Sequence, residues 1–168
     1  MTHSRHVLTA LVCVLLVGCG GGASDPIFPS LSINPISLQL QGSWDVCDPA
    51  YTNGVQTGSD RQVVTFGISP IANQVSMAVS ITSYNSLNCT GAPSNNTGDP
   101  SVRFSLQGGG VLPDATPVEK VGIEASPRFG PKQVIKLSSK QLVFGDTSKP
   151  LDANGYPTVL QTRSFNKL

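Results

Sequence analysis

Alternation is the feature that most constrains this chain. From Gln74 to Tyr84, Val75, Met77, Val79 and Ile81 fall on one side, and Ser76, Ala78, Ser80 and Thr82 on the other. Successive side chains of an extended strand point to opposite faces, so such a run makes a strand with one face buried and one wet. Similar runs cover Leu38–Cys47, Arg61–Ile68, Ser101–Gln107, Val118–Ala125, Gln133–Leu137, Gln141–Phe144 and Thr158–Lys167. Turn residues stand between them, and Ser138-Ser139-Lys140 sets a hairpin between the sixth and seventh runs. No run shows convincing helical amphipathicity, and the connections are too short for helical crossovers. The expected fold is therefore all-β, an antiparallel meander of about eight strands in one domain over residues 37–168.

The start of the chain has a different composition. Arg5, with His3 and His6 around it, gives a short positive start, and Val7–Val17 is apolar apart from Thr9. Eleven residues at 1.5 Å rise cover about 16 Å, short of the ~30 Å hydrocarbon core, so this reads as a signal-peptide core rather than a spanning helix. The residues that follow, Leu16-Val17-Gly18-Cys19, resemble the lipobox of bacterial lipoproteins. The resemblance implies removal of residues 1–18, a diacylglyceryl thioether on Cys19 and acylation of the new amine. More than one acyl chain anchors stably, at roughly 0.8 kcal/mol per buried CH₂. Gly20, where similar lipoproteins retained at the inner membrane carry Asp, implies an outer-membrane address with the domain in the periplasm. Residues 19–36, with Gly20-Gly21-Gly22 and Pro26, Pro29 and Pro35, read as the lipidated Cys and a Gly/Pro linker. Ile27, Phe28, Leu31, Ile33 and Ile36 would let the second half of that linker lie against the domain.

Cleavage would also remove chemistry. Arg5 goes, leaving 10 Lys and Arg against 10 Asp and Glu, and both histidines go with it. A chain without His has no Ser-His-Asp triad, no Cys-His dyad and no His-ligated zinc. A neutral chain also offers nucleic acid no basic field. Of the four Cys, Cys13 leaves and Cys19 is lipidated, so Cys47 and Cys89 remain. In an oxidising compartment two Cys pair by default; free or redox-active thiols are the alternative. In a meander the first and third strands run the same way, so both Cys belong at one rim, with Asn85-Ser86-Leu87-Asn88 folding across the second strand. Closing that loop restricts the unfolded chain by roughly 4 kcal/mol.

Gly42-Ser43-Trp44, in the first strand, resembles the G-x-W signature that opens lipocalin-like (calycin) barrels. The resemblance implies a barrel or half-barrel in which Trp44 plugs the closed end beside Gly42 and a late Arg, here Arg163, packs over its ring. An immunoglobulin-like β-sandwich is the alternative fold.

Other motifs carry little. Asp152-x-Asn154-Gly155 is similar to a calcium loop, but setting Gly155 sixth puts Pro150 first and Gln161 twelfth, where acids are needed, so it reads as a turn. Gly108-Gly109-Gly110 has no following helix and reads as a flexible loop. Carboxylates remain the one catalytic route: Asp45 and Asp48 flank Cys47, and Asp146 and Asp152 share a loop, with few aromatic platforms around them. No catalytic residue, metal site or cofactor is expected. Two functions remain: a lipid-anchored barrel holding an apolar or amphipathic ligand, or an interaction lipoprotein meeting an envelope protein through surface loops such as Cys89–Pro100. A filled barrel with an exposed apolar patch at the disulfide rim favours the second.

Overall fold

The computed structural model describes residues 34–168 apart from residues 125 and 127. A six-residue helix, α1 (Pro35–Leu40), precedes eight strands. These are β1 (Gly42–Thr52), β2 (Val55–Ile68), β3 (Gln74–Tyr84), β4 (Pro93–Val111), β5 (Pro117–Ile123), β6 (Lys132–Leu137), β7 (Gln141–Phe144) and β8 (Phe165–Lys167). Each strand pairs antiparallel with the next, and β8 returns to β1 through Trp44–Lys167 and Asp45–Asn166. The result is a closed barrel, which sets aside the sandwich alternative.

The first expected strand is divided. Asn34 accepts a hydrogen bond from the Ile36 N–H at 2.9 Å, and Pro35 sits at the first helical position with its φ already suited to a helix. Over so few residues, Ile36-Ser37-Leu38-Gln39-Leu40 reads equally well as alternation or as a helix turn. The helix draws Pro35 and Ile36 out of the expected linker. Leu40 is fully buried and Ile36 packs on the core. Cys19 and the rest of the linker to residue 33 lie outside the described residues.

Three further expectations change. Gly108-Gly109-Gly110 is part of β4, not a loop, where an irregularity between Leu106 and Gly108 is bridged by the Gly108 N–H donating to Glu119. Residues 93–100 of the expected polar loop are also β4. The last strand spans only Phe165–Lys167. The segment between β7 and β8 instead lies over the outside of β5 and β6, where Tyr156 and Leu160 pack on a small cluster of Leu112, Val118 and Val134.

The barrel interior changes character along its length. Reading inward-facing partners across β1 to β4, one rung is Gly42, Phe66, Met77 and Val102, and the next is Trp44, Val64, Val79 and Asp99. Above them come Val46, Gln62, Ile81 and Thr97, then Asp48, Asp60, Ser83 and Asn95. The lower rungs join Phe104, Val121, Ile135, Leu142, Phe144 and Phe165 in one contiguous buried cluster beneath which α1 lies. Aromatic pairs knit this cluster, Phe66 edge-on to Phe104 at 5.1 Å and Phe144 edge-on to Phe165 at 5.6 Å. The barrel is filled at its base and polar at its mouth.

Candidate functional site

The mouth is built by strand length. β1 to β4 have 11, 14, 11 and 19 residues, while β5 to β8 have 7, 6, 4 and 3. The first four strands therefore stand past the others as a wall whose inner face carries the polar rungs. Two arginines reach in from the shorter side. Arg163, just before β8, binds Asp48, whose carboxylate also accepts from the Gln62 amide at 3.1 Å. Arg128, between β5 and β6, binds Asp99. On the outside, Asp45 pairs with Arg61 at 2.6 Å, and this bond raises the Arg61 pKa above its already high ordinary value.

The Asp48–Arg163 pair is half-buried, so it is worth about 0.5–1 kcal/mol. A double-mutant cycle on Asp48→Ala and Arg163→Ala, read by urea unfolding, is expected to return that coupling. A coupling of zero would mean that Arg163 is not held across the mouth by Asp48.

Beside the mouth the loop after Tyr84 folds across the outer face of β2, as the meander required. The Ser59 hydroxyl donates to the Ser86 carbonyl and accepts from the Cys89 N–H, both at 2.7 Å. Gly58 lets the loop approach: a Cβ there would lie 2.4 Å from the Tyr84 carbonyl oxygen. The Cys47–Cys89 disulfide then ties the loop to β1, with Cα atoms 6.0 Å apart. Cys47 does not close β1, however; the strand continues to Thr52 and turns at Asn53-Gly54. Both turn residues have positive φ, 53° and 79°, the geometry that Asn-Gly favours in a two-residue hairpin. This dipeptide was the available signal for the taller hairpin, and alternation alone missed it. The hairpin exposes Tyr51 and Val55, the loop exposes Leu87, and Gln56 joins the two by donating to the Leu87 carbonyl at 3.2 Å.

The residues singled out in the sequence fall as follows. Trp44 is fully buried, and its indole N–H donates to the Leu40 carbonyl at 2.7 Å, which fastens α1 to the barrel. Gly42 opens β1 at φ 102°, where a side chain would be strained. Arg163 does not cover Trp44. Because β8 is so short, the residue paired with Trp44 is Lys167, whose ammonium lies 4.9 Å from the indole ring. Arg163 lies earlier, over Phe165 at 5.5 Å and bound to Asp48.

The carboxylates have local partners. Asp152 accepts from the N–H groups of Tyr156 and Asn154, which hold its carboxyl below the usual carboxylate range and shape the turn at Asn154-Gly155. Asp146 is lowered likewise by the Ser148 hydroxyl and N–H. Among the described residues, no group of three or more His, Cys, Asp or Glu is placed to hold a metal. The clefts described lie on the outer faces of the barrel and at its base; the largest, about 510 Å³, and one of about 290 Å³ lie beside the β2–β3 turn, and another of about 290 Å³ lies between Ile36, β5 and β6. Compared with protein-family models, curated proteins and solved structures, the chain matches none.

Proposed function

We propose that this chain is a non-catalytic, lipid-anchored lipoprotein of the cell envelope whose barrel presents an interaction rim to a partner protein. The observation that carries the reading is the pairing of a filled barrel with an apolar rim fixed by a disulfide. A holder of apolar ligand needs an interior chamber, and here the apolar interior positions are taken by the barrel's own side chains. Tyr51, Val55 and Leu87, 63%, 66% and 60% exposed, are instead presented on two segments braced by Cys47–Cys89 and by Gln56. Rigid exposed apolar groups bind partners with little ordering cost.

The direction of the barrel suits that role. The chain enters at α1, and β1 then runs 11 residues, about 35 Å, to the hairpin tip. Asn34 and α1 therefore lie at the base, the end opposite the rim. The lipobox residues Leu16-Val17-Gly18-Cys19 and the apolar stretch before them support the anchor and an outer-membrane, periplasm-facing address.

Two measurements test the proposal. Cys19→Ala is expected to move the protein from the membrane fraction to the soluble fraction; retention on the membrane refutes the anchor. A photo-crosslinking side chain at Val55 or Leu87, in cells, is expected to capture an envelope protein that the same probe at the exposed Lys136 does not. Equal capture from all three positions refutes the rim.

A further inference from the structure

The wall at the mouth has two lateral edges, because β1 to β4 rise past their neighbours. β8 pairs with β1 only at Trp44 and Asp45, and β5 pairs with β4 only from Phe104 to Val111. The two edges differ. On β1 the Leu168 N–H donates to the Ser43 carbonyl, so Ser43, Asp45, Cys47 and Pro49 turn their backbone groups to the outer edge. Pro49 has no N–H, and Arg163 binds Asp48 next to it, so this edge offers a strand little to pair with.

The β4 edge carries no such guard. Its Leu106 N–H donates to Asn73, just before β3, and its Arg103 carbonyl accepts from Glu124, just after β5. Backbone direction alternates along a strand, so Val102 and Phe104 also bond β3. The irregularity that sets Val102 opposite Met77 and Asp99 opposite Val79 shifts this alternation by one. Beyond it Asn95, Thr97 and Asp99 bond β3, while Asn96 and Gly98 point their N–H and C=O outward. Among the described residues the 2.9 Å bond between Glu124 and Arg103 is the last on that side. Ser126 then turns the chain, its hydroxyl accepting from the N–H groups of Arg128 and Phe129. The outward Asn96 N–H donates instead to the Asn95 side-chain oxygen at 2.9 Å. Asn95 stands in for the carbonyl that a neighbouring strand would present.

We propose that this edge, at Asn96 and Gly98, receives an extended, uncharged segment of a partner protein as an added strand. In that mode main-chain pairing supplies affinity and alternate side chains supply selectivity. Residues 62–98 hold no charged side chain, so a charge on the outer side of the segment would find no counter-charge on β3 or the end of β4. Gly98 leaves a gap on the outer face. A Cβ there would meet only the Val79 carbonyl oxygen, at 3.6 Å, and the neighbouring β3 positions are the small Ser80 and Thr82. A large apolar side chain of the added strand fits over that gap. The inference deepens the proposed rim interaction and rests on it only for the partner's being an envelope protein.

Photo-crosslinking of the full chain in cells, with each captured partner residue located by mass spectrometry, tests this. Probes at Asn96 and at Gly98 are expected to reach one partner segment at positions two residues apart, because the two side chains share a face of the strand. Asn96→Pro removes an outward N–H and leaves the β3–β4 ladder intact. It is expected to reduce capture from Gly98 about tenfold while the urea unfolding midpoint stays unchanged. Gly98→Lys charges the edge and fills the gap, and is expected to reduce capture from Asn96 likewise; it decides the matter if the proline lowers the midpoint. No capture from either position, capture scattered over the partner's surface, or capture undiminished by both substitutions overturns the proposal. Capture of residues 94–99 of a second copy also overturns it and assigns the edge to self-pairing. Capture of an envelope protein from Val55 and Leu87 but not from Asn96 and Gly98 removes the added strand and leaves the rim reading standing.

Discussion

Replacing Trp44 with alanine is expected to lower the unfolding free energy by about 3–5 kcal/mol, the range for a fully buried large aromatic. Domains of this size hold only ~5–15 kcal/mol in total, so the loss is a large fraction of the stability. Three features make this a sensitive interior position. Trp44 is 0% exposed and shares a rung with Val64 and Val79. Its indole N–H is the hydrogen bond that fastens the Leu40 carbonyl, and with it the end of α1, to the barrel. The Lys167 ammonium lies over its ring at the β1–β8 seam, where only two residue pairs close the barrel. Trp44→Phe separates these parts. It retains most of the volume but strands the Leu40 carbonyl, so about 1–3 kcal/mol is expected from the lost partner alone, with added loss from the smaller ring. Urea unfolding followed by far-ultraviolet circular dichroism gives both values without relying on the indole signal. A loss below 1 kcal/mol for Trp44→Ala would falsify the plug.

How much of this was legible in the sequence depended on how much each segment relied on distant contacts. β3 is read correctly end to end at Gln74–Tyr84, because eleven alternating residues with one apolar face have a single structural solution. The disulfide was legible because residues 37–168 hold just two Cys and a meander sends strands one and three to the same rim. The misreadings share a cause. Pro35–Leu40 is too short for its period to be decided, and the decision came from the Asn34 cap and the burial of Leu40 against the barrel. Thr158–Leu160 read as strand, but those residues turn outward to pack Leu160 on Val118 and Val134. That shortens β8, and the short β8 is why Lys167, not Arg163, meets Trp44. Arg163 was thereby freed for Asp48, a contact across 115 positions that no local pattern encodes. The polar mouth was not legible: Asp48, Asp60 and Asp99 take inward positions of their strands, but each lies just outside the runs that alternation marks.

Removing the disulfide is the second large effect. Cys47 and Cys89 are 42 positions apart, and releasing that loop restores roughly 4 kcal/mol of unfolded-chain entropy in the chain-entropy model. Cys47→Ala with Cys89→Ala is accordingly expected to lose about 3–4 kcal/mol. Cys89 adds a second effect of opposite sign. Its φ is 57°, a left-handed conformation that costs a side-chain-bearing residue about 1–2 kcal/mol. The Ser59 hydroxyl, which accepts the Cys89 N–H, holds that conformation without the sulfur bond. Glycine adopts it freely, so the relieved strain of about 1–2 kcal/mol, less about 0.4–1 kcal/mol for the glycine's greater unfolded-state freedom, makes Cys47→Ala with Cys89→Gly about 0.5–1 kcal/mol more stable than the double alanine variant. Equal stability of the two variants would mean that the loop abandons the left-handed turn once the disulfide is gone, taking Leu87 away from the rim. A glycine variant of higher stability means that Ser59 keeps the loop across β2, and crosslinking from Leu87 is then expected to survive reduction. Reversible urea unfolding of the two variants and of the oxidised native chain decides between a rim that the disulfide creates and one that it only reinforces.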